Sequence, residues 1–245
     1  MEKANNVYGF EQSSSTTYNL NGNLTGDTNS IDTHMMKNTE RGAVTYLYHS
    51  KYGRCTDGTC EELTINNCSS YITGIGADTV SASSSSTTCT TPKNQYNGES
   101  GVKASTTGNV YGVYDMSGGA YEYVMGNMVD SSNQFYTSNA ANWSTTTYPL
   151  AKYYDKYSYT DNEAMNAYAI GKLGDATVET QPIEDTYSSW YGNHIYFFYA
   201  DYGWSWITRG GGYYNSTFDG GLFTFMPFDG GSDAVTARSS LVVLK

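Results

Sequence analysis

Apolar positions along this chain fall into two regimes. Up to about residue 109 they are sparse and scattered among Ser, Thr, Asn and Gly; from Asn109 onward they gather in short aromatic and β-branched runs separated by glycines. The runs are Val110-Tyr111-Gly112-Val113-Tyr114, Ala120 to Met125, His194 to Tyr199 and Leu241 to Leu244. Such runs, punctuated by Gly, Asn and Asp, predict short strands. Helical spacing occurs twice. From Thr39 to Ser50, Val44, Leu47 and Tyr48 share a face, Thr39 or Asn38 can cap, and Gly53 ends the helix. From Asp161 to Gly171, Ala164, Met165, Tyr168 and Ala169 share a face behind an Asp161 cap. Residues 11–33 read as loop, and residues 81–109 as a low-complexity excursion from the domain surface. No internal repeat is found. The pattern predicts one α+β domain over residues 1–245, with few helices, short twisted strands and long loops.

Composition narrows the class. The 245 residues suffice for a sizeable core. With 25 Tyr and 15% aromatic residues overall, disorder is excluded as a global description. Scarce Ala, Leu, Glu and Lys argue against a helical bundle. The net charge of −11, from 13 basic and 24 acidic residues, opposes binding to phosphate backbones or anionic lipid. No run approaches the ~18 apolar residues of a membrane span. The opening Met1 to Asn6 lacks the apolar stretch of a signal peptide, which implies export by another route or an anchor outside this sequence. A Tyr/Ser/Thr/Asn/Gly-rich, Lys-poor chain is what the outside of a cell calls for.

All four cysteines, Cys55, Cys60, Cys68 and Cys89, lie in one loop-rich stretch. An even, local set reads as two disulfides in an oxidising compartment, with Cys55–Cys60 and Cys68–Cys89 the preferred pairing among three. Zinc is the alternative, weakened by the lack of paired C-x2-C knuckles. No metal or cofactor is expected.

Three segments carry a resemblance. Gly112-Val113-Tyr114-Asp115-Met116-Ser117-Gly118-Gly119-Ala120-Tyr121-Glu122-Tyr123-Val124 resembles the GLYDMxGNVWEW signature of formylglycine-generating-enzyme-like (sulfatase-modifying-factor) domains. Ile207-Thr208-Arg209-Gly210-Gly211-Gly212-Tyr213 is similar to their RGGSW segment, and Leu241-Val242-Val243-Leu244 to their closing GFRVVL strand. The Thr33–Gly53 segment fits their early helix. The resemblance implies a C-type-lectin-type fold over residues ~30–245. Within that family the chain looks closest to the non-enzymatic bacterial and phage branch, which includes the variable proteins of diversity-generating retroelements. The enzymatic branch uses a C-terminal cysteine pair to bind copper, whereas no cysteine follows Cys89 here. Without a thiolate there is no soft ligand for copper, so catalysis is not expected. An enzyme of altered chemistry in this superfamily and a fixed carbohydrate-binding module stand as alternatives.

Several residues invite chemical readings. Asp115 and Glu122 suit an acid/base pair or calcium ligands, but a turn-capping Asp and a buried, hydrogen-bonded Glu explain them more simply. Arg209-Gly210-Gly211-Gly212 lacks the order of a phosphate loop; its glycines predict close packing or positive φ, and Arg209 is expected to pair with Asp115 or Glu122. His34, His49 and His194 are too scattered for a motif and are read as surface or packing residues. No nucleophile elbow accompanies them.

The segment from Tyr213 to Thr236 is the candidate binding face. Gly220, Gly221, Leu222, Phe223 and Phe225 read as turn and core positions. Tyr214, Asn215, Ser216, Thr217, Phe218, Asp219, Thr224, Met226, Phe228, Asp229, Ser232, Asp233 and Val235 read as display positions. In related diversified proteins, mutagenesis of adenine-rich Asn codons yields such mixtures. Met226-Pro227-Phe228 followed by Asp229-Gly230-Gly231 puts apolar groups in a turn-rich segment, and large apolar side chains at such places favour interfaces. Trp204 and Trp206 either flank this face, stack on a sugar or pack in the core. The expected function is extracellular ligand binding on a bacterial surface or phage particle, with a protein or glycan partner.

Overall fold

The computed structural model describes residues 10–12, 18–20, 34–66, 80–81, 88–89, 94–129, 153–158, 171–177, 179–180, 190–195, 206–212, 220–229, 238–240 and 242–243. These form a small α+β arrangement with one α-helix, α1 (Asn38–Tyr48). The early strands are short: β1 (Phe10–Gln12), β2 (Tyr18–Leu20), β3 (His34–Met35), β4 (Cys55–Thr56), β5 (Thr59–Cys60), β6 (Val80–Ser81) and β7 (Thr88–Cys89). The later ones are β8 (Tyr121–Val129), β9 (Asp155–Ser158), β10 (Trp206–Arg209), β11 (Phe225–Asp229), β12 (Arg238–Ser240) and β13 (Val242–Val243).

The organising element is β8. It pairs antiparallel with β10 along one side and parallel with β12 and β9 along the other, while β11 closes the far edge beyond β10. A long strand buried on both faces suits this central place. Val124, Met125, Met128 and Val129 are all buried. Opposite its middle, the register shifts between Trp206 and Ile207. Gly126 sits there, and a Cβ on it would lie 2.6 Å from Ile207 Cδ1, so the glycine leaves room for the Ile207 side chain between the strands. β13 pairs instead with β3, tying the chain's end to the segment before the helix.

The helix forms where its spacing predicts, and its inner face is in part the one expected: Tyr48 is fully buried and Val44 packs against the core, but Leu47 turns outward. Its buried residues are Asn38, Arg41, Gly42, Thr45 and Tyr48, whereas Leu47 is 55% exposed. Four of the five are not large apolar groups, so beside the packing of Tyr48 and Val44 the burial of this face depends on hydrogen-bond partners elsewhere in the fold. The N-terminus is also held from afar. Lys37, not Thr39 or Asn38, occupies the cap position, and Glu40 accepts from its backbone N–H at 2.9 Å. Asp155 Oδ2 in β9 accepts from the Thr39 N–H (2.8 Å) and hydroxyl (2.9 Å). A carboxylate at this end also favours the helix dipole.

Other expectations are corrected. Val110–Tyr114 is a turn rather than a strand, with Tyr111 91% exposed. Within residues 11–33, read as mostly loop, the described residues 11–12 and 18–20 belong to the paired strands β1 and β2. The 81–109 stretch contains part of the β6–β7 hairpin and a 3-10 turn at Gly101–Ala104. Ala104, Ser105 and Thr106 are buried there, so this part belongs to the body of the protein. Residues 161–170, expected to be helical, lie outside the described residues, as do residues 196–199 of the His194 run.

Candidate functional site

Two buried guanidinium groups hold the glycine-rich C-terminal turn. Arg41, on the inner face of α1, donates from Nε to Glu122 Oε2 (3.1 Å), from Nη1 to the Leu222 carbonyl (2.7 Å) and from Nη2 to the Met116 carbonyl (2.7 Å). Its Nη2 lies 3.0 Å from the same carboxylate oxygen. Arg209, at the end of β10, donates to the Thr224 carbonyl (3.0 Å), Asn38 Oδ1 (2.8 Å) and the carbonyls of Asp175 (2.8 Å) and Ala176 (3.2 Å). The expectation that Arg209 pairs with Asp115 or Glu122 is therefore corrected. Although Arg209 and Glu122 are register partners, the carboxylate is taken by Arg41, which sequence reasoning had not singled out. Arg41 shares a face with Val44, Thr45 and Tyr48 by helical spacing, but a charged residue there gave no local sign of this role.

Burial dominates the titration of these groups. It raises the Glu122 carboxyl to about 7, with Arg41 pulling in the opposite direction. Burial likewise lowers Arg209 to about 9. Glu122 thus fits the simpler reading of a buried, hydrogen-bonded acid. Asp115 accepts from Asn66 Nδ2 at 2.8 Å and has a φ of 60°, consistent with a turn role.

Glycines at the end of β10 behave as expected. Gly210 and Gly211 have φ of 82° and 75°. A Cβ on Gly210 would sit 3.2 Å from Glu122 Oε2 and 3.3 Å from Arg41 Nη2. Positive φ together with this approach requires glycine. The Gly210 carbonyl then accepts from Gly118 N–H (2.7 Å) and Gly221 N–H (3.0 Å), joining the two family-like motifs.

Of the candidate display positions, Thr224 is corrected. It is fully buried, because the turn is drawn inward through its own carbonyl by Arg209. Gly220, Gly221, Leu222, Phe223 and Phe225 are buried, as turn and core positions should be. Met226 is half-buried in β11, opposite Thr208. The backbones of Phe228 and Asp229 continue the same edge strand. Tyr214, Asn215, Ser216, Thr217, Phe218, Asp219, Ser232, Asp233 and Val235 lie outside the described residues, as does Trp204.

A second cluster was missed in the sequence. Trp190 and Tyr191, beside the core residue Phe223, form an aromatic patch with His49. The His49 and Trp190 ring centroids are 4.7 Å apart, and Trp190 and Phe223 meet edge-on at 5.5 Å. Tyr191 Oη lies 3.3 Å from His49 Nδ1. Trp-Tyr-Gly-Asn was the available signal: an aromatic pair entering a turn, with φ of 66° at Tyr191 and 72° at Gly192. The β4–β5 hairpin forms the opposite wall, closed by a Cys55–Cys60 disulfide. Donor atoms of His49, Cys55 and Cys60 lie within 4.8 Å of one another. With the two sulfurs bonded together, no thiolate remains there for zinc. The Cys55–Cys60 bridge is the first of the two expected pairs; Cys68 of the second lies outside the described residues.

No described helix is long and apolar enough to cross a membrane. The chain matches no protein-family model, no curated protein and no solved structure.

Proposed function

We propose that this is a non-enzymatic ligand-binding protein of C-type-lectin type, similar to the formylglycine-generating-enzyme-like variable proteins. Its C-terminal segment presents a binding surface to an extracellular protein or glycan. The observation that carries this reading is the buried block from Gly220 to Phe225, held through the Leu222 and Thr224 carbonyls by Arg41 and Arg209. It divides the candidate face into residues 214–219 and 226–235. Such an anchor lets neighbouring side chains change without cost to the core, and binding loops are characteristically held by a rigid scaffold. Thr224 is not part of the proposed face. The Cys55–Cys60 bridge agrees with an oxidising compartment, such as a bacterial surface or phage particle.

Sequencing the codons for residues 200–245 across a source population tests the proposal. Substitutions at adenine positions should fall in 214–219 and 226–235 and spare 220–225. A uniform population overturns diversification, and substitutions spread through 220–225 overturn the anchored-face reading.

A further inference from the structure

We propose that the groove between the disulfide hairpin and the Trp190–Gly192 turn is a carbohydrate subsite that receives one face of a neutral pyranose ring. None of its lining residues belongs to the C-terminal segment, so this inference does not rest on the proposed binding face. It is an open depression of about 520 Å³, lined by His49, Gly58, Thr59, Cys60, Trp190 and Tyr191, a volume within the ordinary range of small-ligand sites.

The lining has a specific chemistry. None of the six residues is an acid, a lysine or an arginine, and burial favours the neutral form of both ionisable rings, lowering the His49 imidazole and raising the Tyr191 phenol. A charged ligand would find no counter-ion in that lining. A wholly apolar ligand would leave one side facing water, because the groove is open. A pyranose fits both conditions: its axial C–H face is apolar enough to stack on an aromatic ring, and its hydroxyl rim stays solvated.

The platform is also built to stay in place. Trp190 is 37% exposed, yet its ring rests on His49 and against buried Phe223. Its backbone N–H donates to the Thr180 carbonyl at 3.0 Å. The Tyr191 hydroxyl is placed to donate to the Cys60 carbonyl at 3.4 Å. Tyr191 holds a left-handed conformation that non-glycine residues seldom keep unless surrounding structure imposes it, and such strain concentrates at ligand sites. Across the groove, Thr59 is exposed and offers a hydroxyl. Among the described residues nothing lies within 4 Å of where a Gly58 Cβ would be, which leaves that side of the groove clear.

The test uses the full chain with methyl glycosides of glucose, galactose and N-acetylglucosamine at millimolar concentration. Saturation-transfer NMR and tryptophan fluorescence report binding. Saturation should reach the ring protons of one sugar face. Trp190→Ala should weaken binding about tenfold, the upper range for a stacked ring pair, whereas Trp190→Phe should retain most of it. Thr59→Trp changes an exposed residue and fills the groove mouth, so it tests the site even where Trp190→Ala fails to fold; it should abolish binding. Absence of binding by all three glycosides overturns the proposal. Undiminished binding in Thr59→Trp, or tighter binding of tetramethylammonium than of any glycoside, overturns it as well.

Discussion

Replacing Arg41 by methionine isolates the interaction on which the C-terminal turn depends. The substitution keeps an unbranched chain in the same space but removes donors to the Met116 and Leu222 carbonyls, each at 2.7 Å, and to Glu122. Those groups stay buried. A stranded backbone acceptor costs ~1–3 kcal/mol, and a buried charge that loses its partner raises the total to ~3–5 kcal/mol. The pH dependence separates the two contributions. In the folded chain, burial lifts the Glu122 carboxyl from 4.5 to about 7. Between those values the folded state holds a proton that the unfolded state has released, so this group's contribution to stability falls as pH rises through the window. Arg41 pulls that carboxyl down; without it the fall extends above pH 7. The loss in Arg41→Met should therefore be about 3 kcal/mol at pH 5 and about 5 kcal/mol at pH 8. Urea unfolding followed by tryptophan fluorescence measures both without screening charge. Adding Glu122→Gln to Arg41→Met should remove the pH-dependent part and leave the rest. A loss below about 1 kcal/mol at both pH values, or one that does not grow with pH, would refute the assignment of Arg41 as the turn's anchor.

Three further outcomes follow from the same geometry. Gly210→Ala should destabilise by ~1–3 kcal/mol in urea unfolding, since φ is 82° and the new Cβ crowds Glu122 and Arg41. Thr224→Val should be neutral or up to about 1 kcal/mol stabilising, because Oγ1 is buried with no hydrogen-bond partner among the described residues; a clear loss would mean that the hydroxyl is engaged. The double variant Cys55→Ser/Cys60→Ser should lose roughly 2 kcal/mol, the loop-closure value for so short a ring, and peptide mapping of the parent protein under non-reducing conditions should recover these two cysteines linked.

Features legible in the sequence were those decided within a few residues. Aromatic and β-branched enrichment marked β8, consecutive glycines after Arg209 marked the positive-φ turn, and the local set of cysteines marked the Cys55–Cys60 pairing, though not the hairpin that it closes. Helical spacing placed α1 to within a residue or two. Only the apolar part of its inner face, Tyr48 and Val44, was legible, because a search for apolar periodicity passes over an Arg that is buried only when acceptors at Met116, Glu122 and Leu222 converge on it. The same reason explains Thr224 and Trp190. Thr224 resembles its polar neighbours until the Arg209 guanidinium draws in its carbonyl. Trp190 and Tyr191 form a platform only because Phe223 and His49, from distant segments, lie against them. Short-range propensity and loop closure act along the chain and can be read from it. The burial of a charged or polar side chain depends on partners that only the folded chain brings within hydrogen-bonding distance.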